Sequence, residues 1–283
     1  AIARVYQDGL SLGRGPDRMF TYGSYDLSAE TDVTKRKRLL HMGRLVEGKL
    51  ETIDLTRITE EVRHSWYTDS GPQPPTQGRT VPIPGKPGAY SWIKAPRYDG
   101  QVYEVGPTAR VLCTALSGES PAMTAVTDKV LSELRADTTV LRSTLGRHLA
   151  RAIETKFVAD AMGDWIMQFK LGEPVCADFK IPERASGMGL WCAPRGALGH
   201  WIDIEGGKVS RYQAIVPTTW NCSPRDDRDQ PGPLEQALEG TPVKDVNNPI
   251  EVLRVVHSYD PCVACAIHVM DAHGNERMRF RAV

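Results

Sequence analysis

The 283-residue sequence lacks an excess of charge of either sign and lacks any long hydrophobic run. It carries 35 basic and 35 acidic residues, so it offers no overall field that would attract nucleic acid or an anionic membrane. No apolar stretch approaches the roughly 20 residues of a membrane-spanning helix, and the N-terminus lacks a secretory signal pattern. These absences favour a small substrate or a protein partner. The one basic run, Lys35 to Arg38, is interpreted as a solvated face.

Cysteine is also scarce, with six residues at positions 113, 176, 192, 222, 262 and 265. Only the last two are closely spaced, which excludes a disulfide scaffold. Cys113 and Cys192 lie in apolar segments and are predicted to be buried, and the same is predicted for Cys176 and Cys222. A chain of this length can bury a sizeable core without disulfides.

The hydrophobic periodicity predicts an α+β fold that is predominantly helical, a long-helix bundle with a small antiparallel β hairpin or sheet region. The strongest helical pattern runs from about Asp137 to Lys170, with an apolar residue at every fourth position. A shorter helix is predicted from Asp54 to Tyr67, where Asp54 offers an N-cap. The long helix implies a bundle because it exceeds the average globular helix several-fold.

Three later segments show other patterns. Between Gly187 and Pro217, the stretches GALGHWIDI and RYQAIVP predict two strands joined by a Glu-Gly-Gly-Lys turn. Short helices are predicted at about Pro233 to Leu238 and from Asn248 to Asp260. The second must end at Asp260, since Pro261 disfavours helix in the residue before it. The proline- and glycine-rich stretch Gly71 to Gly106 is expected to have an extended, hairpin-like or irregular backbone. It is also expected to be packed, because tyrosines and tryptophans are spread through it.

The segment SYDPCVACAIHVMD, from Ser258 to Asp271, places two cysteines at a predicted helix exit. Two thiols separated by two residues can converge on one metal or form a reversible disulfide. Haem attachment is excluded, because it requires histidine directly after the second cysteine. A structural zinc site, a dithiol redox module and a thiolate-rich catalytic metal stay open, although no second cysteine pair accompanies the first.

Several ordered segments resemble one family. DPCVACAIH, with PRGALGHW, YQAIVPTTWNCSPRD and YSWIKAPRYDGQVYEVGPTARVL upstream, is similar to the C-terminal half of the large subunit of nickel-iron hydrogenases of the respiratory uptake type. The resemblance covers nearly the whole chain. It implies heterolytic cleavage and oxidation of H2 at a buried nickel-iron centre that carries carbon monoxide and cyanide, with electrons passed to an iron-sulfur small subunit. Iron-sulfur clusters are then expected only in that partner.

The resemblance assigns metal ligands by position. Cys262 would be a terminal thiolate on nickel, and Cys265 would bridge nickel and iron. His268 would bind a nearby magnesium ion through its imidazole, and Ala214 would offer its backbone carbonyl to the same ion. Soft thiolates suit nickel and low-spin iron, and metal binding deprotonates them.

The same resemblance assigns the pocket around the metals. Arg195 would hang over the open coordination position, and Pro217 with Thr218 would line the pocket for the diatomic ligands. Asp260 would support Arg195 or the thiolate turn. Cys262 or Arg195 could accept the proton from H2, although arginine is almost always protonated and so is the weaker base.

The sequence departs from the family at both ends. The Arg-x-Cys-Gly-x-Cys motif that supplies the other two thiolates is absent. The isolated chain is therefore expected to be inactive, with an N-terminal half supplied by a companion chain or by a longer protein. Residues 269–283 resemble the tail that a maturation protease removes after nickel insertion. We therefore expect residues 1–268 to form the catalytic portion, and nickel chaperones and the protease to be further partners.

Two hypotheses of other classes accompany the hydrogenase reading. A non-catalytic scaffold related to the quinone-site subunit of complex I would lack metal cysteines, so Cys262 and Cys265 argue against it. A zinc or dithiol module would bind metal or act as this chain alone. The expected location of a hydrogenase of this type is the periplasmic face of the cytoplasmic membrane, through the signal of the small subunit, with the cytoplasm as the alternative.

Overall fold

A computed structural model describes residues 7–174, 176, 178–262, 265–270 and 276–282. The fold is α+β, 31% helical and 24% strand. The predicted α+β class is confirmed, but a predominantly helical bundle is not found in the described part of the chain. No helix among the described residues is long and apolar enough to cross a membrane.

Three helices form the helical layer: α1 (Pro107–Leu116), α2 (Pro121–Leu134) and α3 (Thr144–Met167). Proline at the first position of α1 and α2 fits the helix start, where its missing N–H is not needed. The side chain of Ser143 caps α3 by accepting a hydrogen bond from the Gly146 N–H at 3.0 Å.

Helix α3 is shorter than the predicted helix from Asp137 to Lys170. The first part of that segment is a 3-10 helix, Thr138–Arg142, which Ser143 separates from α3 with an extended backbone. The helix then ends at Met167, three residues before the predicted end at about Lys170. Its 24 residues span about 36 Å at 1.5 Å per residue.

The predicted helix from Asp54 to Tyr67 is wrong. Asp54 does cap a helical turn, but that turn is only the 3-10 helix Leu55–Arg57. Strand β6 (Ile58–Glu61) follows and pairs antiparallel with β7 (Ala95–Tyr98). Pairing with a partner strand distant in sequence overrides the helical spacing, because Ile58 packs in the core opposite Tyr98.

A four-stranded sheet with the order β5-β4-β1-β8 lies against α1. Its strands are β1 (Met19–Thr21), β4 (Gly43–Val46), β5 (Lys49–Glu51) and β8 (Glu104–Val105). The β1–β8 pair is parallel, and the other two pairs are antiparallel. A separate hairpin pairs β2 (Ser24–Asp26) with β3 (Arg38–Leu40).

A three-stranded antiparallel sheet is formed by β9 (Arg184–Ala193), β10 (Gly196–Glu205) and β11 (Lys208–Ile215). The two predicted strands are β10 and β11, and their turn has Gly206 and Gly207 at φ of 60° and 66°. Two consecutive left-handed residues match the twist of a tight hairpin. The sequence prediction missed β9, which pairs with β10 over its whole length.

The C-terminal part contains α4 (Pro217–Asn221), α5 (Pro233–Leu238) and α6 (Ile250–Ser258), followed by β12 (Cys265–Met270) and β13 (Glu276–Ala282). The predictions of α5 and α6 are confirmed. Strands β12 and β13 pair antiparallel, with His268 opposite Arg279 in the backbone register.

The main core lies between the two larger sheets and is rich in aromatic residues. Phe20 and Trp220 pack with ring centroids 5.1 Å apart, and Tyr98 and Tyr103 join the same cluster. These two tyrosines lie in the proline- and glycine-rich stretch, so its predicted packing against the body is confirmed.

Burial corrects two predictions. Arg38 in the basic run is buried and bonded to Asp26 at 3.0 Å, so this run is not simply a solvated face. Cys113 and Cys192 are buried as predicted, but Cys176 is exposed and Cys222 only partly buried. The error at Cys176 arises because its loop lies outside the core, which the residue type alone does not reveal.

Glu60 of β6 is a buried carboxyl, 3% exposed, beside Lys94 and Gln213. Burial raises the pKa of Glu60 to about 7, although the nearby Lys94 ammonium and the bond from Gln213 oppose that shift. Between about pH 4.5 and 7, the folded chain therefore holds a proton that the unfolded chain has lost. In that window the contribution of Glu60 to stability falls as pH rises.

We predict that Glu60→Gln removes this pH dependence. Its free energy of unfolding relative to wild type should rise by up to about 3 kcal/mol between pH 4.5 and pH 7.5, measured by urea titration of the metal-free chain. Loss of the Lys94 partner adds an offset that does not vary in this range. Glu173→Gln, at an exposed carboxyl, is the matched control. A pH-independent difference between Glu60→Gln and wild type would contradict the assignment.

Candidate metal site

The end of β8 and the start of α1 form a junction that α4, the start of β10 and the chain after α6 approach. The Asn221 side chain, at the end of α4, accepts a hydrogen bond from the Val105 N–H at 2.9 Å and donates one to the Val105 carbonyl at 2.8 Å. Both backbone groups of one strand residue are therefore satisfied by one amide side chain. The contact brings α4, with Pro217 and Thr218, next to the start of α1.

The segment before β10 joins the same junction through Gly196. This residue has φ of +138°, and an added Cβ would lie 2.8 Å from the Gly106 nitrogen. Only glycine combines this backbone angle with so close an approach. Arg195 is thereby held beside the first residues of α1.

Arg110 of α1 fixes the two residues before Arg195 through hydrogen bonds. Its guanidinium donates to the carbonyls of Ala193 and Pro194 at 3.0 and 2.8 Å, and it also pairs with Glu154 of α3. Arg110 is 2% exposed. Burial disfavours its charge, but the bonds and charge of Glu154 outweigh that and raise the pKa of Arg110. Arg110 thus stays cationic while it fixes the two carbonyls that precede Arg195.

Arg147 of α3 secures the segment that leads to the cysteine pair. It makes two bonds to Glu104, at 2.7 and 2.8 Å, and donates to the Tyr259 hydroxyl at 2.6 Å and to Ser258 Oγ at 3.3 Å. Arg151, one turn further along α3, donates to the Ser258 carbonyl at 3.1 Å. Helix α3 therefore holds the C-terminal end of α6 in place.

Asp260 and Arg195 meet directly after these anchored residues. Asp260 has a left-handed backbone, with φ of +50°, which turns the chain away from α6 before Pro261. Arg195 Nε donates to the Asp260 carbonyl at 2.7 Å and lies 3.5 Å from the carboxylate. Both side chains are about two-fifths exposed, at 36% and 44%. Cys262, two residues after Asp260, is also exposed.

Thr218 connects α4 to the cysteine segment. Its hydroxyl oxygen accepts a hydrogen bond from the Cys262 N–H at 3.0 Å. Thr218 itself is buried, whereas Cys262 is exposed. The structure thus brings together five of the predicted site residues: Arg195, Pro217, Thr218, Asp260 and Cys262.

The remaining three predicted residues are placed only in part. Ala214 lies in β11 opposite His200 and precedes Pro217 by three residues. Cys265 and His268 lie in the backbone of β12, and their side chains fall outside the described part of the structure. Residues 263 and 264 also lie outside it. The metal-ligand roles of Cys265 and His268 therefore stay predictions, and so does that of the Ala214 carbonyl.

The corner formed by Arg195, Thr218, Asp260 and Cys262 offers a thiol that could bind one side of a soft-metal centre. Cys262 presents an exposed thiol on a backbone fixed by Thr218, with a guanidinium close to the same turn. A thiolate of this kind suits nickel, and a second cysteine follows three positions later. Within the described residues no group of three histidine, cysteine or acidic side chains converges, so this corner alone does not complete a coordination sphere.

The comparisons with known proteins identify the family. The sequence profile of the nickel-dependent hydrogenases matches residues 1–268, and the chain therefore belongs to that family. Relatives include the Hydrogenase-2 large chain of Escherichia coli, 40% identical over 97% of this chain, and the uptake hydrogenase large subunit of Rhizobium leguminosarum, 36% identical over 99%.

The fold agrees with this assignment. The H2-activated [NiFeSe] hydrogenase of Desulfomicrobium baculatum superposes on 92% of this chain with a TM-score of 0.81 and 38% sequence identity. The chain spans about half the length of its relatives, 52% of the E. coli protein and 54% of the matched D. baculatum chain.

The sequence prediction missed the supporting residues Arg110, Arg147, Arg151 and Asn221. A signal for the arginines was present, because Arg110 and Arg147 interrupt otherwise apolar helix starts, in PTARVLC and TLGRHLA. Charges on a buried helix face require partners. Their partners Glu154 and Glu104 are more than 40 residues away in sequence, and no local pattern identifies them.

We predict that Arg110→Met destabilises the chain by about 2–4 kcal/mol, because it leaves the Glu154 carboxylate, only 13% exposed, without its partner. The double variant Arg110→Met with Glu154→Leu should recover most of that loss. Urea denaturation of the four variants of this cycle measures the coupling. Purely additive losses would show that the pair does not act as a unit.

We also predict that Thr218→Val loosens the cysteine segment. The variant removes the acceptor of the Cys262 N–H, a bond worth about 1 kcal/mol, so exchange of that amide hydrogen should accelerate about fivefold. Thr218→Ser keeps the hydroxyl and serves as the control, with exchange close to wild type. Equal exchange rates in all three proteins would exclude this hydrogen bond as an anchor.

Proposed function

We propose that the chain is the catalytic-subunit portion of a nickel-iron hydrogenase, which cleaves H2 heterolytically and passes electrons to an iron-sulfur small subunit. The observation that carries this proposal is the convergence of Cys262, Thr218, Arg195 and Asp260 at one corner of a chain that belongs to the nickel-dependent hydrogenases. Residues 1–268 form the portion concerned, and residues 269–283 form an extension removed on maturation.

In this proposal, the thiolates of Cys262 and Cys265 would hold the nickel-iron centre, Cys262 as a terminal ligand of nickel and Cys265 as a ligand shared by both metals. His268 and the Ala214 carbonyl would hold a magnesium ion. Pro217, Thr218 and Arg195 would line the pocket for the carbon monoxide and cyanide ligands. When bound, the metal pair supplies the Lewis acidity and the redox capacity that H2 cleavage requires. The half of the large subunit that this chain does not cover supplies the other two thiolates.

The residues of this chain have separate roles in handling the proton. The Cys262 thiolate would accept the proton in this scheme. Arg195 already donates through Nε to the Asp260 carbonyl, and a guanidinium keeps its charge at any ordinary pH. Its role is therefore to donate hydrogen bonds and shape the pocket, while Asp260 fixes its orientation.

The partners and location follow from the same reading. The iron-sulfur small subunit receives the electrons, and a maturation protease with nickel chaperones prepares the chain. One relative is named a periplasmic [NiFeSe] hydrogenase and another a quinone-reactive hydrogenase large chain. We infer the periplasmic face of the cytoplasmic membrane for this protein, with the cytoplasm as the alternative.

Both other hypotheses account for less of the chain. A scaffold of the complex I type has no use for Cys262 and Cys265. A zinc or dithiol module acts through the cysteine pair alone and gives no role to Arg195, Asp260 and Thr218, which lie around Cys262.

We predict that the protein reassembled with its complementary half and small subunit contains nickel and iron, with infrared bands of iron-bound carbonyl and cyanide. Cys262→Ala and Cys265→Ala should each abolish H2 turnover and reduce bound nickel at least tenfold, since each removes a thiolate ligand. Cys176→Ala, at an exposed cysteine of a distant loop, is the matched control.

The measurements are metal analysis, infrared spectroscopy and H2-dependent dye reduction. A wild-type assembly that contains only zinc would refute the proposal. Retained turnover in the variant that lacks both cysteines would refute it as well.

A further inference from the structure

The basic run Lys35 to Arg38, which has no part in the proposed H2 chemistry, lines a cavity. The run ends the loop between β2 and β3, and the cavity beside it has a volume of about 550 Å3. His41 and Glu119 belong to the same wall, together with the residues that follow β5. A cavity of this volume is large enough for a small molecule.

Hydrogen bonds fix the backbone of the basic run. The Lys37 carbonyl accepts a bond from the Leu27 N–H at 2.8 Å, and the Lys37 N–H donates to the Ser28 hydroxyl oxygen at 3.1 Å. The Arg36 guanidinium donates to the Glu30 carbonyl at 2.6 Å. The cationic side chains therefore extend from an ordered loop.

Two arginines of the run share a single carboxylate. An Arg36 nitrogen lies 2.9 Å from one Asp26 oxygen, and Arg38 Nε lies 3.0 Å from the other. The Arg38 side chain is 1% exposed. Burial lowers the pKa of Arg38 and the Arg36 charge adds to this, although Asp26 opposes the shift. Two guanidiniums and one carboxylate leave one positive charge uncompensated beside the cavity.

The lysines of the run add to this excess. Within the described part of the chain, the Lys37 ammonium has no hydrogen bond or ion pair. Lys35 lies 3.2 Å from Asp32, but both side chains are exposed, and such pairs are weak. Of the side chains that line the cavity, four are permanent cations and one is the carboxylate of Glu119, which is 71% exposed and 3.3 Å from His41.

We propose that this cavity binds a phosphate group, carried either by a soluble phosphate compound or by a phospholipid headgroup. Guanidinium and ammonium groups together suit a compact anion that has several acceptor oxygens. Met42 and Ile53 line the same cavity and pack against the main core, so an apolar wall is available for the carbon part of a phosphate ester. The inference goes beyond the proposed function and does not depend on it.

The test has two arms, both with the full chain. Isothermal titration calorimetry measures the binding of inorganic phosphate, and cosedimentation measures binding to phosphatidylglycerol vesicles, with phosphatidylcholine vesicles as reference. The double variant Lys35→Gln with Lys37→Gln should raise the Kd at least fivefold in the arm that binds, because it removes two cations from the wall. Both lysines are exposed, so circular dichroism should show an unchanged fold.

The matched control is Lys208→Gln with Lys244→Gln, which makes the same charge change at exposed lysines outside the cavity. It should bind like wild type. Glu119→Gln should instead lower the Kd at least twofold, because it removes a carboxylate that repels the anion. Loss of folded structure would not produce such a gain.

The two arms separate the sources of the phosphate group. Vesicle binding that depends on Lys35 and Lys37 would assign the cavity to phospholipid headgroups, and binding of inorganic phosphate alone would assign it to soluble phosphate compounds. No binding in either arm, or equal losses in both double variants, would overturn the proposal. Neither arm involves nickel or H2, so the hydrogenase function is tested separately.

Discussion

The buried ion pair between Arg147 and Glu104 is the constraint on which the site depends. Both side chains are 3% exposed, and their two bonds join α3 to the end of the four-stranded sheet. Burial disfavours the charge of Arg147, but Glu104 and the Tyr259 hydroxyl outweigh this effect and raise the pKa of Arg147. A buried pair of this kind tolerates the loss of neither partner, because the other charge would be stranded away from water. Ser258 and Tyr259, which precede Cys262, are thus held by Arg147, and Arg147 cannot move without its partner Glu104.

The anchors of the site are backbone carbonyls rather than reactive groups. Arg110 holds the carbonyls that precede Arg195, and Arg151 holds the carbonyl of Ser258. Cys262 lies four residues after Ser258 and is exposed. Buried hydrogen bonds thus fix the chain just before an exposed thiol, so the direction of the chain at Cys262 is set by its surroundings.

Features near the site that depend on neighbouring residues were easier to predict from the sequence than the long-range contacts that support the site. The cysteine pair, the helix exit before Pro261 and the turn at Gly206 and Gly207 depend on neighbouring residues, so local rules identified them. Strand β6 was mistaken for a helix because Ile58 and Val62 fit either period, and only the partner strand β7 decides between them. The pairs formed by Arg110 and Arg147 escaped prediction for the same reason, since their partners come from distant elements.

The Asn221 amide has one more effect on the four-stranded sheet. Strand β8 is the last strand in the order β5-β4-β1-β8, so one side of its backbone faces away from β1. On that side the amide bonds the N–H and the carbonyl of Val105, as a neighbouring strand would. An edge strand with unpaired backbone N–H and C=O groups can pair with strands of other molecules. The Asn221 side chain therefore covers the backbone of this edge strand at Val105. The residue that places α4, and with it Thr218, beside Cys262 thus also blocks this edge from pairing with other chains.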